Sequence, residues 1–147
     1  MMLMNDALNT HGNIFVMPNE IFLYGLSAPA IATYAYLSRM ENRNPNSPGC
    51  HTCYPSYEDI GDAISRDKRS ISKYVAELID CQLITTEQTK LLIQNGRIKK
   101  NGNLRFRLLP YQVALDAYYA RQMERLDSDA ERMRVQHALA KLDGQAS

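Results

Sequence analysis

The sequence predicts an α+β fold that is mostly helical, and three observations support this prediction. Two stretches between Ser56 and Ile79 have apolar residues at the three- and four-residue spacing of amphipathic helices. The stretch from Asn103 to Leu108 alternates apolar with other residues at the period of two that is typical of a strand. The remainder of the chain from Tyr111 has a helical composition.

Composition indicates a globular protein rather than a membrane or secreted one. A length of 147 residues suits one domain, or a small domain with an appended helical tail. The apolar fraction of 45% and charged fraction of 22% are ordinary for soluble proteins, and no apolar run is long enough for a membrane span. Because the three cysteines come without a secretory signal, we expect a reducing, cytoplasmic location and no membrane partner.

The N-terminal elements are predicted to lead into a first helix. Residues 1–12 are expected to be disordered. The segment from Asn13 to Pro18 is expected to be extended and to end at Pro18, because proline terminates regular strand pairing. A helix then begins after Ser27, whose hydroxyl is a good N-cap, and Pro29 fits the first turn. The side chains expected to face inward are Ile31, Tyr34, Ala35 and Leu37.

Two helices joined by a tight turn are predicted between Ser56 and Asp80. Ser56 and Asp59 have the spacing of a capping box, in which each side chain bonds the backbone N–H of the other residue. After a turn at residues 65–66, Asp67 stands where the second helix needs an N-cap. The side chains expected to be buried are Ile60, Ala63 and Ile64 in the first helix and Ile71, Val75, Leu78 and Ile79 in the second.

A β-hairpin is predicted after the second helix. It joins an extended piece at Leu83-Ile84 to the alternating strand from Asn103 to Leu108. The pairs Asn95-Gly96 and Asn101-Gly102 each favour a hairpin turn, and the sequence leaves open which of them closes the main hairpin. Two helices followed by such a hairpin are a winged helix-turn-helix, which we assign to residues 13–110 as a DNA-binding domain.

Residues 111–147 are predicted to form a C-terminal helical extension. Ser128 and Glu131 have a second capping-box spacing, which indicates two helices that meet near Asp127. The apolar stripes of this extension must be buried, either against its own domain or against a second copy. We expect a homodimer, because two-fold proteins read two half-sites and gain affinity by linkage.

Positive charge is concentrated in the predicted domain although the net charge of the chain is only +1. Between Arg66 and Arg107 there are ten lysines and arginines against four acids, a local excess of six positive charges. A protein that binds a polyanion needs one positive face rather than a high overall charge. The distribution of charge therefore favours nucleic acid as a partner.

The segment from Cys53 to Ile84 resembles the helix-turn-helix domain of plasmid and phage replication initiators and related bacterial regulators. The similarity extends over roughly Phe15 to Leu108. The matching positions are Cys53, Tyr54, Pro55, Ser56, Gly61, Asp67, Ser70, Ile71, Leu83 and Ile84. The departures are Ser65 in place of a turn glycine, Arg66 in place of an apolar residue and Gln82 in place of the glycine before Leu-Ile.

These observations predict sequence-specific binding of double-stranded DNA without catalysis. The resemblance implies a replication initiator or replication-control protein of a plasmid, phage or integrated mobile element. A transcriptional regulator with the same winged helix is the alternative, and a protein–protein interaction module on this scaffold is the alternative from another class. The side chains expected to contact DNA are Arg66, Lys68, Arg69, Ser70, Ser72 and Lys73 in the helix, and Arg97, Lys99, Lys100, Arg105 and Arg107 in the wing.

No catalytic residue, cofactor, metal or small-molecule substrate is predicted. The chain contains no glycine-rich phosphate loop and no paired-histidine metal motif. Cys50 and Cys53 have the spacing of a zinc pair, but a structural zinc takes four ligands, and Cys81 and His137 are isolated. We therefore interpret Cys53 as a small buried residue.

Overall fold

The computed structural model describes residues 14–89, 92–94, 97–99 and 104–145, and residues 1–12 lie outside this range. Within it the fold is α+β and mostly helical, as predicted. A 3-10 helix (Asn19–Leu23) precedes the helices α1 (Ala28–Met40), α2 (Tyr57–Ile64), α3 (Lys68–Asp80) and α4 (Tyr111–Gln145). The strands are β1 (Thr52–Cys53), β2 (Ile84–Gln88), β3 (Leu92–Gln94), β4 (Arg97–Lys99) and β5 (Leu104–Leu108).

The strands form one three-stranded antiparallel sheet and a separate two-stranded ladder. In the sheet β5 is central, with β1 on one side and β2 on the other. In the ladder β3 pairs with β4, and Gln94 lies opposite Arg97. Asn95-Gly96 lies between Gln94 and Arg97 in the sequence, so this Asn-Gly pair connects β3 with β4. Both this pair and Asn101-Gly102 lie outside the described residues.

The alternation predicted for the last strand is confirmed. Phe106 is completely buried and Leu108 is 7% exposed, whereas Arg105 and Arg107 point to the other, more accessible face. The inner face of the sheet packs against the helices, and the core is drawn from every helix and from all three strands of the sheet. Its largest fully buried side chains include Ile21, Leu37, Ile60, Ile71, Leu78, Leu83, Ile84 and Phe106.

The predicted caps of the first three helices are present. Ser27 accepts from the Ala30 N–H at the start of α1. At α2 the Ser56 hydroxyl accepts from the Asp59 N–H, and the Asp59 carboxylate accepts from the Ser56 N–H, both at 3.0 Å. Asp67 accepts from the Arg69 N–H at the start of α3. Each cap satisfies backbone donors that have no partner inside the helix.

Two side chains predicted to be buried are exposed instead. Ile79 is 39% exposed, and Tyr74 takes its place because residues 71, 74, 75 and 78 share one face of α3. Ala63 is also exposed, and the small residue buried in α2 is Gly61. In α1 the prediction holds for Tyr34 and Leu37, while the other two inward positions are only half-buried.

The C-terminal extension is one helix of 35 residues, so the prediction of two helices that meet near Asp127 is wrong. Ser128 lies inside α4, because no glycine or proline interrupts residues 111–143 and the neighbouring residues continue the helix. Only the start of α4 joins the core, through Ala114, which is fully buried. Tyr118 packs edge-on against Tyr24, with ring centroids 5.7 Å apart.

Candidate nucleic-acid interface

The start of α3 and the turn before it carry a group of exposed cations, which we call the basic cluster. It consists of Arg66, Lys68, Arg69 and Lys73. Within the described part of the chain, none of the four takes part in an ion pair. Of the two serines predicted to join them, Ser72 is exposed and Ser70 is half-buried. The predicted helix residues therefore lie together, and their positive charge is not compensated by a contacting carboxylate.

The opposite face of α3 is anchored in the core. Its buried side chains are Ile71, Tyr74, Val75 and Leu78. Because this stripe fixes the rotation of the helix about its axis, Arg69, Ser72 and Lys73 face away from the core. Arg66 and Lys68 are exposed because they lie at the N-terminal end of α3. The positive end of the helix dipole lies at the same end of α3 and adds to the favourable potential for an anion.

The turn between α2 and α3 depends on a close backbone approach at Gly61. The Arg66 N–H donates to the Gly61 carbonyl at 2.9 Å. A Cβ atom at position 61 would lie 2.6 Å from the Arg66 carbonyl oxygen and 3.5 Å from the Lys68 nitrogen. No real Cβ tolerates the first of these distances, so the absence of a side chain lets α2 meet the start of α3 at this separation.

Ser65 ends α2 in the left-handed conformation, with φ of 58° and ψ of 47°. Gln82, after α3, has φ of 60°. At both positions a residue with a Cβ atom therefore holds a conformation that glycine adopts more readily. Left-handed backbone costs a residue with a Cβ roughly 1 kcal/mol.

Replacing Ser65 with glycine should therefore stabilise the protein. We expect Ser65→Gly to raise the free energy of unfolding by about 0.5 kcal/mol, because relief of the left-handed strain exceeds the extra entropy of the unfolded chain. The matched control is Ser72→Gly in the exposed interior of α3, which should lower it by about 0.5 kcal/mol. Urea unfolding measures both, and equal losses in the two variants would contradict the strain argument.

The far end of α3 is tied to the start of α1 by one carboxylate. Glu77 accepts from the Ser27 backbone N–H at 3.0 Å and from the Ser27 hydroxyl at 2.7 Å. This contact spans 50 positions of sequence and is partly buried. Glu77 is thus engaged in holding the helices together and leaves the basic cluster unneutralised. Sequence reasoning missed this pair, since the two residues become neighbours only in the folded chain.

The arginines of β5 are in a different electrostatic state from the basic cluster. Glu87 on β2 lies 3.6 Å from Arg105 Nη1 and 3.9 Å from Arg107 Nε. Arg105 Nε also donates to the Tyr54 hydroxyl at 3.0 Å, and its guanidinium lies 5.5 Å from the centre of that ring. One carboxylate shared by two guanidinium groups leaves one net positive charge. These two arginines are therefore weaker candidates for phosphate contacts than the basic cluster.

The other three hairpin residues predicted to contact DNA are described only in part. Arg97 and Lys99 belong to β4, of which the structure gives the backbone, and Lys100 lies outside the described residues. Sequence reasoning also missed Glu87 and Tyr54 as partners of the β5 arginines. The alternation of β5 was readable, but the register that puts Glu87 opposite Arg105 depends on the hairpin length, which the sequence left open.

The cysteine pair is split between two environments. Cys53 is 5% exposed and its thiol donates to the Leu37 carbonyl at 3.7 Å. Burial, and secondarily the negative charge of Glu41, raise the pKa of Cys53 to about 12. Cys50 is only half-buried. Across the described ranges, no three histidine, cysteine or acidic side chains are grouped so as to hold a metal ion.

Thiol labelling of the native protein should therefore be selective. At pH 8 we expect iodoacetamide to modify Cys50, while Cys53 reacts only after unfolding, because its thiol is buried and protonated. Cys81 should also be protected, since burial raises its pKa and its thiol donates to the Tyr24 carbonyl. Mass spectrometry of the digested protein identifies the modified residues. If Cys53 in the folded protein is labelled as fast as Cys50, its thiol is not buried as described here.

Comparison with known protein families, with curated proteins and with solved structures finds no match to this chain. The described helices include none that is both long and apolar enough to cross a lipid bilayer.

Proposed function

We propose that this chain binds double-stranded DNA through a winged helix-turn-helix in which α3 enters the major groove. The observation that carries the proposal is the basic cluster, four exposed cations beside the N-terminus of a helix whose other face is buried. None of the four forms an ion pair with another described residue. Lysine and arginine donate both to phosphates and to the O6 and N7 atoms of guanine. Ser72, on the same exposed side, adds a hydroxyl that donates to either.

The order of elements supports the winged-helix part of the proposal. Two helices joined by a short turn, α2 and α3, are followed by β2 and β5, which pair antiparallel, with the β3–β4 ladder between them in sequence. The short strand β1 completes the sheet on the far side of β5. In such an arrangement the recognition helix contacts the groove, and the hairpin contacts the neighbouring backbone.

The biological role that we propose rests on the resemblance of residues 53–84 to initiator domains. It is replication initiation, or control of replication, on a plasmid, phage or integrated mobile element. A transcriptional regulator of such an element would use the same interface, and the two roles differ in where the bound sites lie.

Selection of bound sites from random duplex DNA tests the proposal. We expect enrichment of a defined sequence over several rounds, with protection of one face of the duplex. Failure to enrich any sequence, together with no retention of duplex DNA at 50 mM salt, would refute DNA binding. Retention of a protein partner in that case would favour an interaction module instead.

A further inference from the structure

The outer part of α4 has no covering surface within the described chain. Every described side chain from Met123 to Gly144 is exposed. The exposed apolar side chains include Met123 at 60%, Leu126 at 63% and Met133 at 69%. A row of exposed methionine and leucine side chains gains free energy when it is covered.

Part of the exposed apolar surface of α4 follows a coiled-coil repeat, in which six of eight positions are apolar and the other two are His137 and Gly144. From Tyr119 onward, the residues of one row along α4 are separated alternately by four and three positions in the sequence. This is the spacing of the a and d positions in a two-stranded coiled coil. We call this row the seam. It consists of Tyr119, Met123, Leu126, Ala130, Met133, His137, Ala140 and Gly144. Val135, Leu139 and Leu142 fall on the opposite side of the helix and take no part in it.

We infer that the seam pairs with the seam of a second copy of this chain, and that the two helices run antiparallel. The two-fold axis passes between Glu131 and Arg132. In that register each layer joins a large side chain to a small or medium one. The layers, each written with the residue of the second copy after the dash, are Tyr119–Gly144, Met123–Ala140, Leu126–His137 and Ala130–Met133.

Side-chain size selects this orientation over a parallel one. Large side chains opposite small ones fill a helix interface evenly. A parallel pair would place Ala130 against Ala130 of the second copy, which leaves a gap, and His137 against His137 of the second copy. Two copies of the seam therefore pack well when the helices are antiparallel and poorly when they are parallel.

Charges beside the seam agree with the antiparallel register. Asp127 faces Arg134 of the second copy, and the two-fold axis repeats this pair. On the other flank Asp129 faces Gln136 of the second copy, a contact between an acceptor and a donor. No flanking position sets like charges against each other in this register, so the second copy is a better occupant of the seam than an acidic or a basic partner.

Sedimentation equilibrium of the full chain, without DNA, tests the pairing. We expect a dimer for the natural chain and a monomer for Leu126→Asp/Met133→Asp. The matched control is Leu139→Asp, which places the same charge on α4 outside the seam and should stay dimeric. Thermal unfolding of the core, followed by Tyr fluorescence, should remain cooperative in both variants, which shows that each is folded. If the natural chain is still monomeric at a concentration on the order of 0.1 mM, the inference is wrong.

Charge exchange tests the register. Asp127 and Arg134 are seven residues apart and do not contact each other within one helix. Asp127→Arg alone and Arg134→Asp alone should each raise the dimer dissociation constant roughly tenfold, and the double variant should restore it. Asp129→Arg should have little effect in the antiparallel dimer. If Asp129→Arg instead weakens the dimer and Asp127→Arg does not, the helices are parallel and the inference fails.

Disulfide cross-linking separates the two orientations directly. In a Cys50→Ser background, a mixture of Met123→Cys and Ala140→Cys chains should form a cross-linked heterodimer under mild oxidation. Two Met123→Cys chains should not cross-link with each other, because in the antiparallel dimer the two copies of residue 123 lie far apart along the helix pair. Efficient self-linking of Met123→Cys would establish the parallel arrangement and contradict the proposal. Because these tests contain no DNA, their outcome is independent of the proposed DNA binding.

Discussion

Replacing Lys68, Arg69 and Lys73 with alanine together is expected to weaken duplex DNA binding by on the order of 100-fold at physiological salt, since each lost contact contributes roughly 1 kcal/mol. All three side chains are exposed, and the fold does not use them for any ion pair among the described residues. The free energy of unfolding should therefore stay within about 0.5 kcal/mol of the natural value. Fluorescence anisotropy with a labelled duplex, beside urea unfolding, measures both quantities.

A matched variant distinguishes local contacts from net charge. Arg125, Arg132 and Lys141 are exposed cations of α4, and their joint replacement with alanine removes the same three positive charges. This control should weaken binding less than roughly threefold, because charges beyond a Debye length from the duplex are screened. If both triple variants lose affinity equally, the basic cluster is not the binding surface.

Gly61→Val is expected to cause a large loss of stability. Its Cβ would lie 2.6 Å from the Arg66 carbonyl oxygen, a backbone atom that can move only if the turn between α2 and α3 opens. Overpacking of this kind costs about 3 kcal/mol. The loss should appear as a lower urea midpoint with an unchanged denaturant slope.

Ala63→Val is the control for that experiment, since it places the same side chain in the same helix at an exposed position. It should cost about 0.6 kcal/mol, the difference in helix propensity. If the proposed interface is correct, Gly61→Val should also weaken DNA binding where the protein remains folded, because a shifted turn moves the basic cluster relative to the sheet. Equal stability losses for the two variants would show that the close approach at Gly61 does not constrain the turn.

The caps of α2 and α3 and the alternation of β5 were predicted correctly from local signals in the sequence. The capping box of Ser56 and Asp59 and the cap at Asp67 need only residues within three positions, and the structure confirms them. The alternation of residues 104–108 was readable for the same reason, since a strand presents its two faces at a fixed period of two.

The errors came where a local signal competes with its surroundings. Ser128 and Glu131 have the spacing of a capping box, but such a box forms only where the preceding chain leaves the helix. The residues before Ser128 favour helix, so the motif stays inside α4. The two-residue strand β1 was not predicted either, because its pairing with residues 106 and 107 is fixed by the fold and not by the two residues themselves.

The location of the cations of the candidate site was predictable from the sequence, but the side chains that pair with charged residues were not. The helical period around Ile71 places Arg69 and Lys73 away from the core, and both are exposed. Lys68 was predicted with them and is also exposed, as the first residue of α3. The partners of Arg105 and of Glu77 come from distant parts of the chain, through contacts at sequence separations of 50 and 51. Which cations remain unpaired is therefore a property of the tertiary structure.

The salt dependence of duplex binding tests the central claim most directly, because counterions are released only where cations contact phosphates. If each subunit neutralises roughly five phosphates, a plot of log affinity against log salt concentration should have a slope of about −4 to −5 for each subunit. Loss of the three side chains of the basic cluster should reduce its magnitude by about 3. A slope near zero for the natural chain would contradict the account.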